Sequence, residues 1–223
     1  MLKAMHMVRK IALRLLLLFG IFVAILIVNL LIFNKLASKI TEGDRIANRD
    51  PERVALLVVD IQEGTTGSAS STEGYIRQSA SLISHVNTLV EMAEEKGWYL
   101  IWIRSEVVNP LLNVLNNTLA RGSKGAELDE RLNTSVGQVV VKRRNDAFNR
   151  TSLDSILEEE GIGRLVVAGL DAESCVLSVI QAASNRGYPL TVYTGTVIGK
   201  EEGLMAEVLE TYRDLGVEVL PLN

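Results

Sequence analysis

The sequence predicts a three-layer α/β domain with a mainly parallel sheet, preceded by one N-terminal transmembrane helix. Short apolar runs alternate with amphipathic stretches of helical periodicity through most of the chain. The runs are apolar on consecutive positions, which indicates strands covered on both faces, and strand–helix alternation favours parallel pairing. A longer apolar run near the N-terminus predicts the helix before the domain.

The N-terminal run, residues 15–33, reads LLLLFGIFVAILIVNLLIF, and Asn29 is its only strongly polar residue. Its length is close to the roughly 20 residues that cross a bilayer. The alternative is a secretory signal peptide, whose apolar core is usually about 7–15 residues long and ends at a small-residue cleavage site. Because this run is longer, we expect residues 1–37 to be a retained anchor of a single-pass membrane protein.

Basic residues lie on both sides of the run, so their distribution leaves open which side of the membrane the domain faces. Residues 38–51 are polar, contain Gly43 and close with Pro51, which is typical of a tether. The folded domain is therefore expected to occupy residues 52–223.

Six apolar runs of the domain are predicted strands, at residues 54–59, 99–103, 139–141, 165–168, 190–193 and 217–220. Four amphipathic stretches are predicted helices, at residues 75–96, 153–160, 175–186 and 203–214. The first of these helices stops at Gly97, a common C-terminal breaker. Residues 105–137 do not follow the alternation.

The charge of the chain is divided unevenly between its two parts. Six of the 23 basic and two of the 27 acidic residues precede Arg45, which leaves a net charge of −8 for the remainder. An acidic surface repels phosphate backbones and anionic lipid headgroups, so nucleic acid is excluded as a partner and small molecules are favoured. The single cysteine, Cys175, excludes an intrachain disulfide.

Three chemically active residues fall at one rim of the predicted sheet. Asp60 ends VALLVVD, Lys142 ends QVVVK, and Cys175 begins the helix that follows LVVAGL. Ligands of open parallel sheets bind beyond the carboxyl ends of the strands. A helix N-terminus and the Lys142 ammonium would favour the Cys175 thiolate, and Asp60 could move the thiol proton to a leaving amine.

Each residue taken alone has a simpler explanation. A lone buried cysteine usually packs in a core, a strand-end aspartate often caps a loop, and a strand-end lysine is usually solvated. The coincidence of all three at one rim favours catalysis.

Four motifs carry a resemblance: DIQ after the first strand, GAELDERL, KRRNDAF and GLDAESCV. In this order they resemble the isochorismatase-like cysteine hydrolases, from about residue 52 to the C-terminus. The resemblance implies a six-stranded doubly wound sheet, a homo-oligomer, and an amidohydrolase whose Asp60, Lys142 and Cys175 form a thioester without a cofactor. It also implies a cis peptide between Leu170 and Asp171, with the Asp171 and Cys175 amides directed at the oxyanion.

The chain departs from that family in three places. Nicotinamidase-like members carry an Asp and two His for a metal after the second strand, but this chain has SEVVNPLLN there and only His6 and His85 elsewhere. No metal site is therefore expected, and nicotinamidase activity is disfavoured. The loop EGTTGSASSTEG replaces an Asn-Asp-Phe continuation, and Asp171 stands where Ala is commoner.

The pocket residues are less strongly indicated. Gln62 is either a substrate ligand or a loop anchor, and Phe148, the only Phe outside the anchor, either lines the pocket or packs in the core.

The leading hypothesis is a membrane-anchored hydrolase of a small amide or carbamoyl C–N bond. One alternative is a catalytically silent, membrane-tethered binding or scaffold domain of the same fold. The other is isochorismatase-type vinyl-ether hydrolysis, which family members perform without the cysteine.

Overall fold

The computed structural model describes residues 2–46 and 49–222, and its contacts divide the chain into two units, Met1–Leu36 and Ala37–Asn223. The first unit is formed by helix α1 (Leu2–Ala37), of which Met5–Ala37 is long and apolar enough to cross a membrane. A signal sequence would satisfy the same criteria of length and composition.

The second unit contains a parallel six-stranded sheet in the order β3-β2-β1-β4-β5-β6. The strands are β1 (Val54–Val59), β2 (Tyr99–Ser105), β3 (Gln138–Lys142), β4 (Arg164–Gly169), β5 (Leu190–Tyr193) and β6 (Glu218–Leu220). The first strand, β1, lies near the centre; β2 and β3 extend the sheet to one edge, and β4, β5 and β6 extend it to the other. This doubly wound order confirms the predicted fold and places a topological switch point between β1 and β4.

The helices of this unit are α2 (Glu73–Glu95), α3 (Pro110–Leu115), α4 (Leu153–Glu159), α5 (Cys175–Asn185) and α6 (Met205–Asp214). All six residues of β1 are buried. Its side chains at positions 54, 56 and 58 pack with the apolar face of α2, and those at positions 55, 57 and 59 pack with α4, α5 and α6. This explains why the strand is apolar on consecutive positions.

The segment that did not fit the alternation connects β2 to β3. It holds the short helix α3, a 3₁₀ turn at Lys124–Ala126, and single bridges that pair Val107 with Ala120 and Gln62 with Leu128. The last of these bridges links the segment to the loop that follows β1.

The segment predicted to be a tether packs on the domain instead. Thr41 donates two hydrogen bonds to Asp146, and the Arg49 guanidinium donates one to the Tyr188 hydroxyl at 2.6 Å. The compact unit accordingly begins at Ala37. The polar composition of the segment suggested a solvated linker. It could not reveal the hydrogen-bond partners, because they lie more than 100 positions away in the sequence. Ala47 and Asn48 lie outside the described residues.

Candidate active site

The three predicted catalytic side chains come from the carboxyl ends of β1 and β3 and from the start of α5. Asp60 directly follows β1 in a left-handed conformation (φ 55°), and its N–H donates to the Ile103 carbonyl of β2 at 2.8 Å. Lys142 is the last residue of β3, and Cys175 is the first residue of α5. Because parallel strands end at one edge, residues far apart in the chain meet there.

The structure brings Asp60, Lys142 and Cys175 into direct contact. The Lys142 Nζ lies 2.8 Å from Asp60 Oδ2 and 3.2 Å from Cys175 Sγ. It also donates to the Arg144 carbonyl at 3.2 Å, while Ser105 Oγ donates to Asp60 Oδ1 at 2.9 Å. The Lys142 side chain is fully buried, and Cys175 is partly exposed as a residue although its thiol is largely desolvated.

The electrostatics of the site favour a neutral resting thiol over the expected thiolate. Burial raises the pKa of the Cys175 thiol, the Asp60 carboxylate also raises it, and the Lys142 ammonium lowers it only in part, so that the net pKa is about 12. The sequence suggested a thiolate because it indicated the ammonium and the helix N-terminus. It placed Asp60 beside the thiol as a base but did not indicate that burial and the carboxylate charge together would outweigh the ammonium.

The lysine, in contrast, is held in its charged form. Burial by itself lowers the pKa of Lys142, but the Asp60 carboxylate and the Cys175 sulfur outweigh burial, so the net shift is upward. The site thus contains an ammonium–carboxylate pair beside a neutral nucleophile.

The turn before Cys175 contains the expected cis peptide between Leu170 and Asp171, and the structure confirms this prediction. Among the hydrogen bonds of the described residues, neither the Asp171 N–H nor the Cys175 N–H donates to a protein acceptor. The neighbouring amides of Ala172 and Val176 donate to the Ile198 and Asp171 carbonyls. Within the described part of the chain, these two backbone N–H groups of the nucleophile turn therefore have no protein acceptor.

Sequence reasoning missed Tyr75, at the start of α2. Its hydroxyl donates to Asp171 Oδ2 at 2.9 Å, and the same carboxylate accepts from the N–H groups of Glu173 and Lys200. Burial raises the pKa of Tyr75, and the charges of Asp171, Cys175 and Asp60 raise it further. Tyr75 thus lies within the electrostatic reach of the site, which no local sequence pattern indicated.

Of the two predicted pocket residues, neither has the geometry of a substrate ligand. Gln62 is fully buried, and its amide donates to the Ser105 and Ala126 carbonyls and accepts from the Ser105 N–H. Phe148 is 4% exposed and packs in the core beneath the Arg186 guanidinium. The structure therefore favours the alternatives, a loop anchor for Gln62 and a core position for Phe148.

The loop after β1 is fixed by buried charges that the sequence had not assigned. Glu63 accepts from the N–H and hydroxyl of Ser68 and from the Glu130 N–H, and Asp129 accepts from Thr66 and Arg131. Desolvation opposes ionisation of Asp129, but these hydrogen bonds outweigh it and lower its pKa. The GAELDERL motif thus orders one wall of the site.

A sequence model described as the isochorismatase domain matches residues 54–223. The chain belongs to the isochorismatase family. This match covers both the sheet and the three-residue site, and it makes the protein a member of a family of hydrolases.

Known relatives in the isochorismatase family differ in activity. A probable inactive nicotinamidase from Arabidopsis thaliana is 28% identical over 192 residues, covering 76% of this chain and 92% of that protein. N-carbamoylsarcosine amidase from Thermoplasma acidophilum is 23% identical with a TM-score of 0.65, covering 77% and 97% of the two chains. Pyrazinamidase of Pyrococcus horikoshii, solved in complex with zinc, is 22% identical with a TM-score of 0.63, covering 76% and 99%. The two structural matches establish the fold alone.

The residues of this chain do not fit a zinc site such as the pyrazinamidase complex suggests. In the described residues no three His, Cys, Asp or Glu side chains are grouped to hold a metal. After β2, Glu106 is buried and paired with Arg104 at 2.9 Å. The two histidines lie in α1 and α2, where His85 contacts Ser81.

Proposed function

We propose that the protein is a membrane-anchored cysteine hydrolase that cleaves a small amide or carbamoyl C–N bond through a Cys175 thioester. The observation that carries the proposal is the Lys142 ammonium, which lies 2.8 Å from Asp60 and 3.2 Å from Cys175. A buried ammonium that contacts both a carboxylate and a thiol is suited to nucleophilic acyl transfer.

In the first half of the reaction, Cys175 Sγ attacks the substrate carbonyl carbon while its proton passes to Asp60. Proton transfer during attack suits a neutral resting thiol, because the carboxylate next to it acts as the base. The Lys142 ammonium stabilises the sulfur as negative charge develops on it. Asp60 then gives the proton to the leaving nitrogen, the C–N bond breaks and the thioester remains.

In the second half, water attacks the thioester carbonyl carbon, and Asp60 accepts its proton. The C–S bond breaks, the acid product leaves, and the proton returns to Cys175 Sγ. In both halves the unpaired Asp171 and Cys175 N–H groups would donate to the carbonyl oxygen as it becomes an oxyanion. Asp60, Lys142, Cys175 and the two backbone N–H groups are all the protein groups that these two halves of the reaction use.

A library of small amides and carbamoyl compounds, screened for release of ammonia or amine, tests this proposal. We expect turnover by the full-length protein and its loss, by about 10³-fold or more, in Cys175→Ala and Lys142→Met. Thr211→Val, a change on the exposed side of α6, is the control that should retain full turnover.

Intact mass during turnover provides the second part of the test. An adduct of the acyl group on wild type that is absent from Cys175→Ala supports the thioester. No turnover of any amide and no adduct would favour the catalytically silent binding domain. Turnover of a vinyl ether that survives Cys175→Ala would favour the isochorismatase-type reaction.

A further inference from the structure

Residues 37–46, here called the N-terminal strap, precede the part of the chain that the family match covers, which begins at residue 54. The strap is nevertheless hydrogen-bonded to the domain along its length. Its Ala37 carbonyl accepts from the Asn145 N–H at 3.1 Å, its Lys39 carbonyl accepts from Asn149, and its Ile46 N–H donates to the Arg186 carbonyl at 2.8 Å.

Three of the strap's hydrogen bonds fall on the loop that leaves Lys142, residues 143–148, and others reach Asn149, Asn185 and Arg186. The strongest is made by Thr41, whose N–H and hydroxyl donate to Asp146 Oδ2 at 2.8 and 2.7 Å. Asp146 is fully buried, and its other oxygen accepts from the Phe148 N–H at 2.8 Å. A buried carboxylate must have its hydrogen bonds satisfied, so the strap is required to hold Asp146 in place.

The same loop contacts the site on its other side. The Arg144 carbonyl accepts from Lys142 Nζ at 3.2 Å, and the Asn145 side chain donates to the hydroxyl of Ser174 at 3.1 Å. Ser174 immediately precedes Cys175. Two consecutive residues of the loop therefore touch the ammonium and the nucleophile turn, and the next residue is fixed by the strap.

We propose that the strap is a positioning element of the active site. Thr41 acts through Asp146 and the loop to hold Lys142 and Cys175 in position relative to each other. The proposal rests on the function proposed above, because it assigns the strap to that same site. It also gives the segment between α1 and the domain a role in the chemistry in addition to joining the two.

The expected physical effect of the strap is to keep water away from Lys142 and Cys175. Without the Thr41 hydroxyl, Asp146 loses one of its three hydrogen bonds and the loop loosens over Lys142. Burial is the main cause of the raised thiol pKa, so hydration would bring that pKa down towards its ordinary value. Loss of the strap contact therefore increases the reactivity of the thiol while it disturbs the geometry needed for turnover.

Alkylation of Cys175 by iodoacetamide between pH 7 and 11, followed by intact mass of the full-length protein in detergent, measures this effect without a known substrate. Wild type should react in proportion to hydroxide across this range. In Thr41→Val we expect alkylation about tenfold faster at pH 8 and a curve that falls to about half of strict proportionality to hydroxide by pH 11, as for a pKa lowered by about one unit. Asn145→Ala, which removes the contact with Ser174, should act in the same direction.

Thr41→Ser, which keeps the hydroxyl, should restore the wild-type profile, and Thr211→Val, a matched Thr→Val change in α6, should leave it unaltered. A faster reaction with an unchanged curve shape would indicate greater access alone and would overturn the proposal. So would a wild-type profile for Thr41→Val, whatever the result for Asn145→Ala.

Asp60→Asn separates this outcome from failure of the proposed function. If Asp60→Asn moves the profile and Thr41→Val does not, the three-residue site is assembled and only the role of the strap is wrong. If Asp60→Asn leaves the profile unchanged, the proposed function fails, and the role of the strap in that site fails with it.

Discussion

Asp60 has opposite effects on the ionisation of its two neighbours in the site, Lys142 and Cys175. Its carboxylate favours the charged form of Lys142 and disfavours the charged form of Cys175. The thiol consequently rests in its neutral form, protected from alkylation and oxidation, which act on the thiolate. In the proposed mechanism, activation requires the proton to move onto the same carboxylate that favours the neutral thiol.

Asp60→Asn is predicted to separate reactivity from turnover. Removing the negative charge removes a cause of the raised Cys175 pKa and leaves the Lys142 ammonium to stabilise the thiolate. The thiol pKa should fall by about one unit or more, and alkylation at pH 8 should accelerate about tenfold, while amide turnover is lost with the base. The measurement is the rate of iodoacetamide labelling against pH.

The matched control for that experiment is Asp214→Asn, an exposed change at the end of α6 that should not alter the labelling rate. Slower labelling in Asp60→Asn would contradict the assignment of charges in the site.

At the scale of the elements, the site depends on how closely β1 and β4 approach at their carboxyl ends. Gly169 ends β4 with a φ of 117°, and a Cβ on it would lie 2.0 Å from the Val59 carbonyl oxygen. That carbonyl accepts from the Leu170 N–H at 3.0 Å. Asp60 follows Val59 directly, so the close approach of these two strand ends fixes both the carboxylate and the nucleophile turn.

Gly169→Ala is predicted to destabilise the domain far more than an alanine at an open turn. Gly187 provides the comparison, because it has a φ of 83° and no atom within 4 Å of its would-be Cβ. Gly187→Ala should cost about 1 kcal/mol for the backbone conformation, and Gly169→Ala on the order of 3 kcal/mol because it adds a steric clash. Urea unfolding in detergent measures the difference, and equal costs would refute the close approach.

At the scale of the whole molecule, an acidic α/β hydrolase domain follows an apolar helix that is long enough to span a bilayer. We propose that the helix is retained as an anchor. The alternative, a cleaved signal sequence, predicts a shorter mature chain. A homo-oligomer, which the family resemblance implied, stays a prediction.

Retention of the anchor predicts that the mature protein keeps its full mass of 24.5 kDa and stays in the membrane pellet after alkaline carbonate extraction. Arginine at the exposed positions Leu18 and Ile25 should release it, since each costs about 2.5–3.5 kcal/mol near the centre of a span. Leu18→Ile with Ile25→Leu is the apolar control and should remain in the pellet. A mature mass lacking residues 15–33 would show that the helix is a signal sequence.

The sequence by itself determined the parallel three-layer fold and predicted three candidate site residues, which the structure brings together, because burial periodicity and strand-end position are local properties of the chain. Only the tertiary structure decided the electrostatic environment of Cys175, the internal contacts of Gln62 and Phe148, and the docking of the strap. Each of these depends on distances between residues that are remote in sequence, such as Thr41 and Asp146, 105 positions apart. Electrostatic balance and hydrogen-bond satisfaction are set by such distances, and no residue pattern specifies them.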